Sequence, residues 1–367
     1  MLKNFWYAIC LSTEVKEKPM RVTALGQELV VYRNHKQQAI AMSNRCIHRG
    51  GSLSSGLVKN DCVICPYHGW EYQSDGVCVK IPSYQEEIQI PLKARIDSYP
   101  TEEKYGFIWA FLGDLSESER PPLPLFPECD NSKYRKLWGD YHWDVHYTRA
   151  LENGMDIAHA PFVHAGSFGN RDKPEVESYV VEQFEWGSDA TVNLNPPPLS
   201  GLWSLLSKGK ERPPVKTTSG YRMPNITRLQ VTLPISDFVL YVCHLPVSET
   251  HTRSLWVQMR SFFTSKLFDQ DSMRRVIKIF DEDRQTVSEQ RPQILPYDLA
   301  AELHVRSDAI QIDFRKKRNK YIDLGWCIDS QRIQSEYANK AVVIPSPARK
   351  ENPNAWIMDE VPVEQTS

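Results

Sequence analysis

The sequence predicts an α+β protein in which a small N-terminal all-β domain precedes a larger domain of antiparallel sheet and helices. Three observations predict it. Roughly the first 113 residues are short β-branched and aromatic runs punctuated by turn residues; a charged, proline-rich junction follows; beyond it, strand-length runs alternate with helix-period segments.

In the first part, ELVVYR, AIAMS, CVICPYHGWEY and YGFIWAFLG read as strands. The junction SESERPPLPLFPECDN has a charged patch followed by four prolines, which fit neither a helix interior nor a central strand. It places a boundary near residue 115 and a first domain over 1–115. The second domain, 116–345, should contain a strand through 141–147, a helix over 151–159, strands near 226–247 and 254–263, and a helix over 269–290. Residues 196–224 hold six prolines and show no usable period, so they read as a long loop, either a lid or an insert. Leu202, Trp203, Leu205, Leu206, Tyr221, Met223 and Phe238 lie in or near it, and an apolar set of this kind is more often core than substrate wall. Residues 346–367 read as a surface arm.

The chain has 367 residues, more than one ordinary domain. Its 44 basic and 46 acidic residues leave a net charge of -2, so no global field draws it to nucleic acid or an anionic membrane. No window reaches the roughly 18 apolar residues of a membrane span. The N-terminus lacks a basic lead-in and a small-residue cleavage site, so a cytoplasmic protein is expected, or a chloroplast stromal one in a plastid lineage. Eight cysteines are too few for a disulfide scaffold, yet Cys46, Cys62, Cys65 and Cys78 fall within 33 residues, which suggests metal chemistry.

The strongest pattern is RCIHRGG followed by CPYHGW. One residue separates Cys46 from His48, two separate Cys65 from His68, and sixteen lie between His48 and Cys65. Each loop offers one thiolate and one imidazole. A structural zinc accepts two Cys and two His, but zinc fingers pair Cys with Cys and His with His. A Rieske 2Fe-2S centre places two Cys on one iron and two His on the other. Coincidence in a strand-rich domain is the third reading. The mixed pairing favours the Rieske centre, as do Gly50, Gly51 and Gly69, which let backbone amides approach cluster sulfurs. Cys62 and Cys78 fall outside the pattern and read as buried, inert thiols.

CIHRGG, the sixteen-residue spacing and CPYHGW resemble the Rieske domain of the non-haem iron oxygenases. The resemblance implies Cys46, His48, Cys65 and His68 as cluster ligands. Respiratory Rieske proteins add a disulfide from an extra Cys in each loop; here those places hold Gly51 and Tyr67, which implies the lower-potential type fed by a ferredoxin or flavin reductase.

In LENGMDIAHAPFVH, Asp156, His159 and His164 follow the order Asp, two residues, His, four residues, His. Two imidazoles and a carboxylate form the facial triad of non-haem iron(II) oxygenases, which leaves positions open for dioxygen and substrate. The bland alternative is a helix with one buried and one exposed His. The family resemblance implies His159 and His164 as iron ligands and makes Asp156 a hydrogen-bonded electron-transfer bridge to a Rieske His of a neighbouring subunit. Helical period selects the third ligand. Met273, Val276, Phe280, Asp283, Val287 and Gln290 share one stripe, and an acid on a buried stripe needs a partner. Asp281 lies with Ile277, Arg284 and Ser288, and Glu282 points elsewhere; both read as solvated or ion-paired. Asp283 is therefore the expected ligand, and the family likewise takes its carboxylate from a late helix. Asn153, in the Glu-Asn lead-in, is a candidate near-iron residue or a structural amide. His142 and His146 read as structural within an alternating strand, and His244, His251 and His304 are isolated.

The second part is most similar to the branch holding vanillate and dicamba demethylases and pheophorbide and chlorophyllide a oxygenases. That implies a monooxygenase that hydroxylates or oxidatively demethylates a small aromatic or polycyclic substrate. Its cofactors would be a Rieske cluster and mononuclear Fe(II), with O2 as co-substrate and electrons from NAD(P)H through a separate reductase. It would assemble as a homotrimer in a head-to-tail ring. The alternative is a non-catalytic electron-transfer protein whose second domain binds a partner, but such a protein should have lost an iron-binding His, and both are present.

Overall fold

The computed structural model describes residues 1–85, 87–197 and 213–364. Two compact units emerge. One comprises Met1–Pro124, Leu245–Glu249 and Tyr321–Ser367; the other comprises Leu125–His244 and Thr250–Lys320. Among the described residues no helix is long and apolar enough to cross a membrane.

The first unit is built of small antiparallel sheets. Phe107–Leu112 lies between Phe5–Leu11 and Thr101–Lys104, and every residue of FIWAFL is buried, as a central strand covered on both faces requires. Met20–Ala24, Gln27–Arg33, Ala39–Ser43 and Ser98–Tyr99 form a second sheet. The third, of Leu57–Lys59, Cys62–Ile64, Glu71–Tyr72 and Cys78–Lys80, carries one of the two Cys–His loops. CVICPYHGWEY is thus not one strand: residues 65–70 turn between two short ones.

The expected boundary at 115 differs from the structure, and so does the surface arm expected over 346–367 as far as residue 364, the last one described. Trp6 Nε1 donates to the Pro121 carbonyl at 3.0 Å, so the proline-rich segment packs on the first unit. The C-terminal residues return to it as well. Val342–Val343 pairs in parallel with Asp359–Glu360. The fully buried Asp97 accepts from Ser346 N and Oγ and from Arg349 Nε and Nη2, all at 2.8–2.9 Å. The Arg349 guanidinium lies 4.6 Å from the Trp356 ring centroid.

The second unit holds a seven-stranded sheet. Its order is Arg135–Trp143, His251–Arg260, Ser236–Ser248, Ile226–Leu233, Val215–Arg222, Gly187–Leu194 and Val181–Phe184. Val215–Arg222 corrects the expectation of one loop over 196–224: every residue from Lys216 to Arg222 pairs with the neighbouring strands on both sides. Leu202, Trp203, Leu205 and Leu206 lie outside the described residues. Helix α1 is Tyr147–Met155, α2 is Ala160–Val163 and α3 is Asp269–Val287. The buried Val276, Phe280 and Val287 of α3 pack with Tyr141, Trp143, Leu240, Val242 and Trp256 of the sheet. The strand expected over 141–147 ends at Trp143 because His146 caps α1, its Nδ1 accepting from Thr148 N. The helix expected over 151–159 stops at Met155, where Asp156 turns extended.

Candidate metal centres

The two Cys–His loops of the first unit share one backbone design. Cys46 N donates to Gly51 O and Cys65 N to Trp70 O, both at 2.9 Å; Gly50 N donates to Cys46 O at 2.9 Å and Gly69 N to Cys65 O at 3.0 Å. Each loop therefore closes at the fourth residue after its Cys. The closing residue has φ of +70° at Gly50 and +72° at Gly69, a conformation side chains rarely tolerate. Within that shared backbone, His stands two residues after Cys in one loop and three after it in the other.

Cys46 and Cys65 are buried, His48 is half-buried and His68 is exposed. The two imidazole centroids lie 4.5 Å apart, and His48 stacks on Trp70 at 4.8 Å. His48 Nδ1 is buried without a hydrogen-bond partner. A Cβ on Gly51 would come within 3.0 Å of Cys65 Sγ, so a side chain there would crowd the thiolate. Tyr72 Oη lies 3.1 Å from Cys46 Sγ.

These observations separate cluster from zinc. Four ligands on one tetrahedral ion with bonds of about 2.0–2.3 Å stand roughly 3.3–3.8 Å apart. Among the described residues, the one set of three or more such donors within 4.8 Å is His159, His164 and Asp283, so the two Cys and two His do not converge on a single point. Two sulfurs buried beneath two outward imidazoles fit a two-iron group.

The His159, His164 and Asp283 set lies in the second unit. The distances are 3.2 Å between the two Nε2 atoms, 3.2 Å from Asp283 Oδ1 to His164 Nε2 and 3.4 Å from it to His159 Nε2. Three ligands on one face of a metal with bonds near 2.1 Å are separated by about 3 Å. Asp283 Oδ1 is buried with no well-aligned hydrogen-bond partner despite these approaches, as expected when all three atoms aim at one point. Burial alone would raise the Asp283 carboxyl; the two imidazoles outweigh it and hold the pKa at about 2. The acid on the buried stripe thus has the partners its position demands.

Asp156 does not join this set. Its Oδ2 lies 3.9 Å from His159 Nδ1, its Oδ1 accepts from Ala158 N at 2.7 Å, and the side chain is 30% exposed. Asn153 sits one turn earlier on α1, half-buried, with its carbonyl accepting the Asp156 amide at 3.2 Å. Asp281 accepts from Tyr141 Oη at 2.7 Å, away from the imidazoles. His142 and His251 stack on each other, and the buried His244 contacts Thr227 Oγ1 and Ser254 Oγ.

Two residues escaped the sequence reading. Tyr72 lies outside the Cys–His spacing, and no pattern marks it. Glu282 was expected to be solvated or ion-paired, and the unforeseen point is its partner: its Oε2 lies 2.8 Å from His164 Nδ1 and its Oε1 accepts from Ser167 Oγ at 2.7 Å. Its adjacency to the expected ligand was the available signal.

Comparison with known proteins agrees with this architecture. Residues 5–100 match the Rieske 2Fe-2S domain, and residues 143–324 match the vanillate O-demethylase oxygenase C-terminal domain. The chain is 28% identical over 330 residues to methylxanthine N1-demethylase NdmA of Pseudomonas putida, covering 86% of this chain and 88% of that one. It is 29% identical over 333 residues to the chloroplastic chlorophyllide a oxygenase of Arabidopsis thaliana, covering 87% of this chain and 57% of that protein. The solved structure of Pseudomonas putida NdmA superimposes with a TM-score of 0.72 at 27% identity, covering 85% of this chain and 88% of that one. The chain belongs to the Rieske oxygenase alpha subunits. It is accordingly an enzyme of the Rieske oxygenase type, with a 2Fe-2S cluster, a mononuclear iron, O2 as co-substrate and NAD(P)H-derived electrons delivered by a reductase or ferredoxin.

Proposed function

We propose that this chain is the oxygenase component of a monooxygenase that hydroxylates or oxidatively demethylates a small aromatic or polycyclic compound. In this reading Cys46, His48, Cys65 and His68 hold the cluster, and His159, His164 and Asp283 hold the iron. The observation that carries it is the convergence of two imidazoles and a buried carboxylate at 3.2–3.4 Å. Bound there, iron supplies dioxygen activation at positions the three ligands leave open. The protein's own part is orientation: α3 presents Asp283 from the core, and α2 is bracketed by the two histidines. The names of the demethylase relatives favour demethylation as the first activity to test.

Asp156 is the proposed electron-transfer bridge, supported by its exposure and by the unpartnered His159 Nδ1 beside it. The exposed His68 suits a cluster that delivers electrons across a subunit boundary, and a closing head-to-tail contact gives a ring, here three copies. Purified protein with a ferredoxin, a reductase and NAD(P)H, screened against methylated and unsubstituted aromatic compounds, tests the activity. Substrate-dependent O2 consumption with formaldehyde release marks demethylation, and a hydroxylated product without formaldehyde marks hydroxylation. Full activity from a strictly monomeric enzyme at high dilution would exclude the ring.

A further inference from the structure

We infer that Glu282 is a positioning residue for the mononuclear iron, fixing His164 in the tautomer whose Nε2 is free to bind metal. The inference rests on the ligand assignment proposed above. Successive helical residues point about 100° apart, so Asp283 and Glu282 leave α3 in different directions. Both nevertheless reach the same ring: Asp283 Oδ1 is 3.2 Å from Nε2, and Glu282 Oε2 is 2.8 Å from Nδ1. The extra methylene of Glu carries its carboxylate to the far nitrogen. An imidazole that donates Nδ1–H to a carboxylate keeps its lone pair on Nε2, where a metal needs it.

Glu282 is itself held. Ser167 Oγ donates to its Oε1 at 2.7 Å and Lys278 Nζ lies 3.6 Å away, while the same ammonium reaches the Gly166 carbonyl at 3.3 Å. Gly166 and Ser167 belong to the turn that follows His164, in which Ser167 N donates to His164 O at 2.9 Å. The carboxylate thereby ties the ligand and its loop to α3. Phe168 stacks on the imidazole at 4.7 Å and completes the seat. His159 has no such support, since its Nδ1 is buried and unpartnered. The two imidazoles differ accordingly: His164 is preset within the chain, and His159 is left open toward Asp156.

The test uses the full-length protein, depleted of mononuclear iron and titrated anaerobically with Fe(II) against a competing chelator. Iron per chain above the two cluster irons is read out, with cluster absorbance as the internal check. E282A should bind this iron about 10- to 100-fold more weakly with the cluster band unchanged. E282Q keeps an acceptor oxygen for Nδ1–H and should recover part of the loss, and S167A should lose less than E282A. Unchanged iron affinity in E282A overturns the inference, as does an equal loss in E282A and E282Q accompanied by equal falls in melting temperature. If E282A does not accumulate folded, E282Q and S167A decide in the same way, and wild-type affinity in both overturns it. H164A separates the two levels: iron retained there removes the ligand assignment, whereas iron lost there but kept in E282A removes only the role of Glu282.

Discussion

Replacing Tyr72 with Phe should lower the reduction potential of the cluster by about 30–65 mV. Tyr72 is fully buried and its Oη lies 3.1 Å from Cys46 Sγ, so the substitution removes one oxygen from a packed core and leaves the ring in place. A metal-bound thiolate carries no proton, so the phenol donates. Burial, reinforced by Cys46, pushes the phenol pKa well above its usual value, and it stays a donor across the accessible pH range. A hydrogen bond to a charged acceptor is worth about 1.5–3 kcal/mol. Reduction adds one negative charge, and if about half of that strength appears only in the reduced state, the difference is about 0.75–1.5 kcal/mol. For one electron 1.4 kcal/mol corresponds to about 59 mV. A potentiometric titration followed by visible circular dichroism, on wild type and Y72F side by side, measures the shift and its independence of pH. A potential that is unchanged or higher in Y72F would refute the donor role.

Asp283→Ala should strip the mononuclear iron while the cluster spectrum stays intact, read as metal content and absorbance on the same sample. Asp156→Asn should keep both metals and slow electron delivery by about 10- to 100-fold, visible as delayed cluster oxidation in single turnovers from pre-reduced protein. Asp97→Ala leaves the Arg349 guanidinium buried without its carboxylate, which should cost about 3–5 kcal/mol in urea unfolding of the first unit. Burial depresses His244 to about 3 from its ordinary 6.5. The unfolded chain takes up that proton first, so stability should fall as pH drops from about 6.5 toward 3, and His244→Gln should flatten that part of the profile in thermal melts.

The parts of the site that could be read from sequence are those fixed by short spacing. Each Cys–His loop is a closed turn of about six residues, so Cys46, His48, Cys65 and His68 show their geometry as a motif. The burial of Asp283 beside two imidazoles was legible for another reason, because a carboxylate on a stripe with Val276, Phe280 and Val287 contradicts burial unless it has a partner. What escaped depends on long-range contact. The run 62–72 is an exception, since Pro66 and Gly69 within it are local breakers and the turn they make divides it into two short strands. Residues 346–364 read as a loose arm because nothing local announces that Asp97, about 250 positions earlier, awaits Ser346 and Arg349. The contact of Glu282 with His164 was not legible because helical period tracks the direction of Cα–Cβ bonds, and a long side chain can leave that direction.

His159 and His164, the proposed iron ligands, stand five residues apart at the two ends of one short helix. In an unbroken helix positions i and i+5 diverge by roughly 140°, which would send the two imidazoles to different faces. Here α1 ends at Met155, Asp156 turns extended with φ of -69° and ψ of 130°, and a single short helix restarts at Ala160 with Pro161 in its first turn. His159 and His164 stand at its two ends, and His164 has left helical geometry at φ -99° and ψ 23°, which lets the Nε2 atoms meet at 3.2 Å. The break at Asp156 acts on the acid instead. The Asp156 amide is spent on the Glu152 and Asn153 carbonyls and its Oδ1 on the Ala158 amide, so the carboxylate is pinned at the joint between the helices, partly exposed and beside the open nitrogen of His159. The break at Asp156 thus places the acid proposed to feed the iron, while the departure of His164 from helical geometry brings the two proposed ligands together, which is why Asp156→Asn should impair electron delivery while sparing iron binding.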